Sequence, residues 1–251
     1  MKKRGPWLLV LLMAGTVIAL LVVLLLTGGD DDGVDAAALL ADAPAAAKAQ
    51  GTAVVDLAVS VDNDAIDLSV DATGAVDFGS GLGWFTVELP GRSIETRTDG
   101  AVLYVLPEGD DTWLAVHADE SGSLGGAGTA EVLAFVDLLA RDATKVTDRG
   151  SEEIDGRPTR HVRATIDVEG VAELTELVPS GSLPLDVWID GDGLPVRMRM
   201  QGSTQGIFLV ITVDLSDWGT ELGVAIPPEG LVRDVEADEL TRILGAPVDG
   251  G

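Results

Sequence analysis

The chain has 251 residues with 42 acidic and 16 basic side chains, a formal net charge of -26, and no cysteine. A surface this acidic repels phosphate backbones, which disfavours nucleic-acid binding by charge neutralisation. The missing cysteine excludes a disulfide framework, a thiolate metal site, a cysteine nucleophile and a cysteine-linked lipid anchor.

Lys2, Lys3 and Arg4 precede an uncharged run from Trp7 to Thr27. As a helix at ~1.5 Å per residue the run spans ~30 Å, the thickness of a bilayer core. A cleaved secretory signal has a shorter apolar stretch, ~7–15 residues, closed by a small-x-small site. Here Gly28-Gly29-Asp30-Asp31-Asp32-Gly33 follows, and the nearest small-x-small triplets are Ala41-Asp42-Ala43 and Ala47-Lys48-Ala49. An uncleaved signal anchor is favoured over a cleaved signal. The basic residues hold the N-terminus in the cytoplasm and the rest of the chain lies outside. The predicted layout is a cytoplasmic stub (1–6), a transmembrane signal anchor (7–27), a linker (28–33), one domain (34–235) and a short C-terminal helix with tail (236–251).

The alanine-rich stretch Val34–Gln50 reads as a helix with a break or kink near Pro44, ended by Gly51. Period-two alternation then predicts strands at Val55–Val61, Ile66–Asp71 and Phe85–Leu89, and further strands follow at Ser93–Thr98, Ala101–Leu106 and Thr112–His117. Turn residues separate them, Thr73-Gly74 and Pro90-Gly91 among them. Gly122–Gly128 reads as a flexible loop; it lacks the Gly-Lys-Ser/Thr ending of a phosphate-binding loop. Thr129–Arg141 is predicted to be an apolar buried helix, and Glu169–Val178 a second short one. Between and after them come strands at Thr144–Ile154, Thr159–Val168, Leu185–Ile189, Pro195–Met200 and Gly206–Leu215. Asp155-Gly156-Arg157-Pro158 and Asp190-Gly191-Asp192-Gly193 are the expected hairpin turns, and Glu236–Leu244 closes the domain as a small helix. The fold class is α+β: a curved antiparallel half-barrel sheet of about ten or more strands, with two or three helices on its concave face, after one N-terminal transmembrane helix.

Three stretches carry a family resemblance: Ala36-Ala37-Ala38-Leu39-Leu40 leading to Gly51-Thr52-Ala53, the hairpin from Gly150 through Gly156 to His161-Val162, and the hairpin from Leu185 through Trp188 and Asp190 to Pro195. With Asp214–Gly219 and Ile226-Pro227 they resemble the mycobacterial LppX/LprG lipoproteins, within the wider LolA/LolB-like class, over about Val34 to Asp234. The resemblance implies a half-barrel closed by helices around an apolar cavity, and a lipid or acylated glycolipid as ligand, carried or handed over in the cell envelope. The family's lipobox cysteine is absent, and the transmembrane segment stands in its place. An envelope interaction or sensor domain of the same fold, with a protein partner and no lipid cargo, is the alternative.

The inward-facing set predicted to line a lipid pocket is Leu57, Val59, Leu68, Phe85, Val87, Leu133, Val136, Leu174, Met198 and Leu209. The plain reading is that these residues pack against one another. The two histidines, His117 and His161, sit in strand-like segments without a nucleophile motif, so no enzyme activity, cofactor or metal site is predicted. Asp190-Gly191-Asp192-Gly193 looks like a fragment of a calcium loop but lacks the closing glutamate, and a hairpin turn is the better reading. Trp84, Trp113, Trp188 and Trp218 are read as core or cavity-mouth residues with core as the default, and Tyr104 as plain core.

Overall fold

The computed structural model describes residues 35–63, 66–89, 91–99, 101–117, 143–167, 182–204, 207–223 and 225–244. The run Trp7–Thr27, the loop Gly122–Gly128 and the helices predicted at Thr129–Arg141 and Glu169–Val178 lie outside the described residues. Among the described residues no helix is long and apolar enough to cross a membrane.

Helix α1 spans Ala36–Gln50. Asp35 caps it, its carboxylate accepting from the Ala37 N–H at 3.1 Å, a contact worth about 1 kcal/mol. Gly51 ends it at φ 85°, its N–H donating to the Ala47 carbonyl at 3.1 Å. Of the break or kink expected near Pro44, no break occurs, and the helix runs on through the proline. The ring is buried on the stripe that also carries Leu40, Ala43 and Ala47, so packing offsets the one hydrogen bond that proline removes.

Eleven strands follow in pairs of meanders: β1 (Thr52–Asn63), β2 (Ile66–Asp77), β3 (Gly83–Leu89), β4 (Arg92–Thr98), β5 (Val102–Pro107) and β6 (Trp113–His117), then β7 (Ala143–Ile154), β8 (Arg157–Asp167), β9 (Ser182–Asp190), β10 (Pro195–Thr204) and β11 (Ile207–Ser216). A 3-10 turn at Glu229–Leu231, the short strand β12 (Val232–Asp234) and helix α2 (Ala237–Leu244) complete the described chain. The strands form one open sheet in the order β12-β6-β5-β4-β3-β2-β1-β11-β10-β9-β8-β7, consistent with the expected curved layer. Pairing is antiparallel except for β12, which runs parallel to β6. The two meanders meet where β1 pairs β11. Strand β12 was not anticipated, because three residues are too few to show alternation.

Two expected turns are corrected. Thr73-Gly74 lies inside β2, because Gly74 marks a close approach and not a reversal: a Cβ there would sit 2.1 Å from the Trp84 carbonyl oxygen and 2.5 Å from the Phe85 ring. The β7–β8 reversal is confined to Asp155-Gly156, and Arg157 and Pro158 already belong to β8. Pro158 pairs Glu153, while the ladder to β9 begins at Thr159, so its missing N–H removes no bond on that side.

Alternation sorts each strand into two faces. The inner face carries Ala53, Val55, Leu57, Val59 and Val61 of β1, all buried. Both helices join this face: Leu40 and Ala47 of α1, and Leu240 and Leu244 of α2, belong to the same apolar cluster. Helix α1 packs against β1, β7 and β9, and α2 against β6. The edge strand β7 carries two register shifts and exposed Lys145, Arg149 and Glu153, features that blunt an edge against further pairing.

The start of β1 is a junction. The Phe78 N–H donates to the Gly51 carbonyl at 2.7 Å, and the Gly219 N–H to the Thr52 carbonyl at 2.9 Å. The Thr52 hydroxyl donates to the Thr220 carbonyl at 2.6 Å, and the Phe78 and Trp218 rings stack 5.7 Å apart.

Candidate ligand-binding face

Antiparallel register aligns inner-face residues into rows that cross the strands. One row runs from Ile94 through Val87 and Ala72 to Leu57, and continues across β11 at Val213, β10 at Met198, β9 at Val187 and β8 at Val162. Each of these residues is buried, and none is polar. At ~4.8 Å between strands the row extends about 35 Å. The next row, Val70, Val59, Ile211, Met200, Leu185 and Ala164, is equally apolar. Charged groups on this face stand towards its ends: Arg92 of β4 donates to the Leu244 carbonyl of α2, and Arg160 of β8 pairs with Asp148 of β7.

Of the predicted pocket residues, Leu57, Val59, Phe85, Val87, Met198 and Leu209 are buried on this face. Leu68 pairs Val61 through the backbone, but its side chain is not among those described. Leu133, Val136 and Leu174 lie outside the described residues.

The outer face is polar, and β7–β9 build a compact charged cluster there. His161 of β8 lies between two carboxylates, with Nε2 2.6 Å from Asp186 Oδ1 and Nδ1 3.1 Å from Glu152 Oε1. Arg163 donates to both Asp186 oxygens, at 2.6 and 2.7 Å. The Trp188 ring stacks on His161 at 4.4 Å and its indole N–H donates to Glu152 at 2.7 Å. Burial works against ionisation of Asp186, but the hydrogen bonds from Arg163 and His161 outweigh it and leave its carboxyl below the usual range. The Trp188 indole, with His161 behind it, lowers Glu152 likewise.

Both ring nitrogens of His161 are therefore taken by carboxylates, and His117 Nε2 faces Asp234 at 2.8 Å, an exposed pair. The cluster was missed in the sequence because its members are scattered over three strands. The available signal was the outward i, i+2 pairs His161/Arg163 and Asp186/Trp188. Asp190 closes a hairpin turn, its Oδ1 accepting from the N–H groups of Asp192 and Leu194 at 3.0 Å each. No group of metal-binding side chains occurs among the described residues.

The aromatic residues depart from the default core reading. Trp113 and Trp188 are buried, but both belong to the outer face, where Arg97 lies 4.6 Å over the Trp113 ring. Trp84 is exposed on that face opposite Arg97, Trp218 is half-buried at the β1 junction, and Tyr104 is half-buried with its hydroxyl towards Asp99.

A family model for the LppX_LprAFG lipoproteins matches residues 35–224. The chain belongs to this family. The match covers nearly the whole of the domain read from the sequence. Among solved structures, Mycobacterium tuberculosis lipoprotein LppX is similar at 20% identity and a TM-score of 0.55, over 73% of this chain and 94% of LppX, a likeness of fold. LprF from Mycobacterium bovis is 21% identical over 90% of this chain and 98% of its own, with a TM-score of 0.44. No curated protein matches the sequence. Within the LppX_LprAFG lipoproteins this chain is a member whose sequence contains no cysteine to carry a lipid.

Proposed function

We propose that the chain is an extracytoplasmic lipid-binding protein, held at the cytoplasmic membrane by residues 7–27, that takes the hydrocarbon of an acylated ligand onto the inner face of its sheet. The observation that carries the reading is the unbroken apolar row across eight strands in a member of a lipoprotein family. An acyl chain spans about half a bilayer's hydrocarbon core, ~15 Å, well within a ~35 Å row. Each buried CH₂ contributes about 0.8 kcal/mol, so a chain of a dozen carbons binds without a dedicated polar partner. The segregation of charge to the outer face and to the ends of the inner one supports the same assignment. Binding at a fixed anchor suits handover of a lipid between membrane and envelope better than free shuttling.

The test is mass spectrometry of solvent extracts from the purified protein, set against extracts of an unrelated single-span protein prepared alike. The expected result is a lipid class enriched only with this chain; equal extracts from both proteins overturn the proposal. A second reading, an envelope interaction domain, draws on Trp84, Ile226 and Leu231, large apolar side chains left exposed. Ile226 follows Ala225, whose carbonyl accepts from Arg97 at 2.6 Å, and Arg97 pairs Trp84 in register. Crosslinking through this patch to one envelope protein, with no lipid in the extracts, favours that reading instead.

A further inference from the structure

Gly202 of β10 pairs Leu209 of β11, which pairs Val61 of β1, so it belongs to an inner-face row beside the ones described. A Cβ built on Gly202 would lie 2.1 Å from Leu183 Cδ2 and 3.6 Å from Leu183 Cγ. Leu183, on β9 and buried, has thus put its terminal methyl where any other residue at 202 would carry its own first carbon. Its side chain lies over the β10 backbone and does not stand up from the sheet. Gly74 is the contrasting case on the other half of the sheet, where the nearest obstacle is the Trp84 carbonyl oxygen at 2.1 Å. Backbone cannot yield there. At Gly202 the obstacle is one rotatable methyl group.

Resting on the lipid-binding reading, we infer that Gly202 is a specificity-determining residue, which sets the length of hydrocarbon chain the inner face accepts by letting Leu183 lie flat. A side chain at 202 forces Leu183 to rotate upward into the space over β9 and β10, and the last carbons of a long chain lose their place. The displaced isobutyl group excludes about two methylenes, and two methylenes correspond to about a 15-fold change in affinity. A chain that ends short of this point is unaffected. The effect is therefore a change of profile with length, which a general loss of stability does not produce.

The experiment is native mass spectrometry of the full-length protein incubated with an equimolar mixture of saturated fatty acids of about 10 to about 20 carbons. Relative to the wild type, Gly202→Ala shifts the bound population to shorter chains, with the longest falling about 15-fold against the shortest. Leu183→Ala, which removes the obstructing methyls, shifts it to longer chains, and the double variant returns to the wild-type profile. Circular dichroism establishes that each variant is folded; if Gly202→Ala does not fold, the shift to longer chains in Leu183→Ala decides alone. A wild type that binds fatty acids while the folded variants keep its profile overturns this inference and leaves the lipid-binding reading standing. A wild type that binds no chain of any length overturns both.

Discussion

Replacing Asp186 by alanine takes the centre out of the outer-face cluster. Its carboxylate accepts three hydrogen bonds, from His161 Nε2 and from Nε and Nη2 of Arg163, and its side chain is only 5% exposed. Removing one partner of a buried ion pair costs about 3–5 kcal/mol. Arg163 is 35% exposed and rehydrates in part, which brings the expected cost to about 2–3 kcal/mol. For a domain of this size each kcal/mol moves the melting point by about 2–4 °C, so thermal unfolding followed by circular dichroism shifts down by roughly 5–10 °C. Asp186→Asn keeps the size and one acceptor oxygen, and costs about half as much. The pH dependence follows from the direction of the shift. The Asp186 carboxyl is held below its usual range in the folded state, so its contribution is full above about pH 4 and is lost as the pH falls through its folded value. The gap between wild type and Asp186→Asn closes as the pH falls well below about 4. A loss below about 0.5 kcal/mol at pH 7, or a gap that does not close well below about pH 4, refutes the account of Asp186 as a buried, hydrogen-bonded carboxylate.

Tyr104 is the single tyrosine of the chain, so ultraviolet absorbance titrates it alone; burial first, and the Asp99 carboxylate second, place its midpoint above about 10, and a midpoint at or below that value contradicts the outer-face geometry. Gly74→Ala puts a methyl against the Trp84 carbonyl and costs about 2 kcal/mol or more in urea unfolding, whereas Gly91→Ala, at a turn with open space around it, strains only the backbone and costs less. Trp188→Phe keeps the ring stacked on His161 but loses the indole donor to Glu152; a loss of about 1–2 kcal/mol is expected, and no change in melting point counts against that hydrogen bond. Deleting residues 1–33 is expected to move the protein from the membrane pellet to the soluble fraction after an alkaline wash, and retention in the pellet counts against the anchor.

The strands were the most legible part of the sequence because one face is apolar and the other wet, so that Val55, Leu57, Val59 and Val61 announce β1 by themselves. Legibility failed where a residue type serves an uncommon purpose. Gly74 resembles a turn in sequence, and its pairing with Val55 on one side and Phe85 on the other places it inside a strand. Pro44 resembles a breaker, and only its burial against the core explains an uninterrupted helix. For the inner face, alternation sufficed to place Leu57, Val87 and Met198 on one side, but not to show that they share one row, because register across β1, β3 and β10 is a property of the whole sheet. The grouping of Glu152, His161, Arg163 and Asp186 was hidden for the same reason.

The junction at Gly51 and Thr52 has a mechanical consequence. Any pull on residue 35 from the N-terminal side enters through α1 and reaches the sheet at the head of β1, a strand in the interior of the layer and not at either rim. Strand β1 is bonded along its length to β2 on one flank and β11 on the other, so axial tension must shear both ladders together instead of unzipping them one bond at a time. The clasp formed by Phe78, Gly219 and Thr220 spreads that load into both halves of the molecule at its point of entry. A load that enters here is shared by both halves of the sheet, so the apolar inner surface keeps its shape under it.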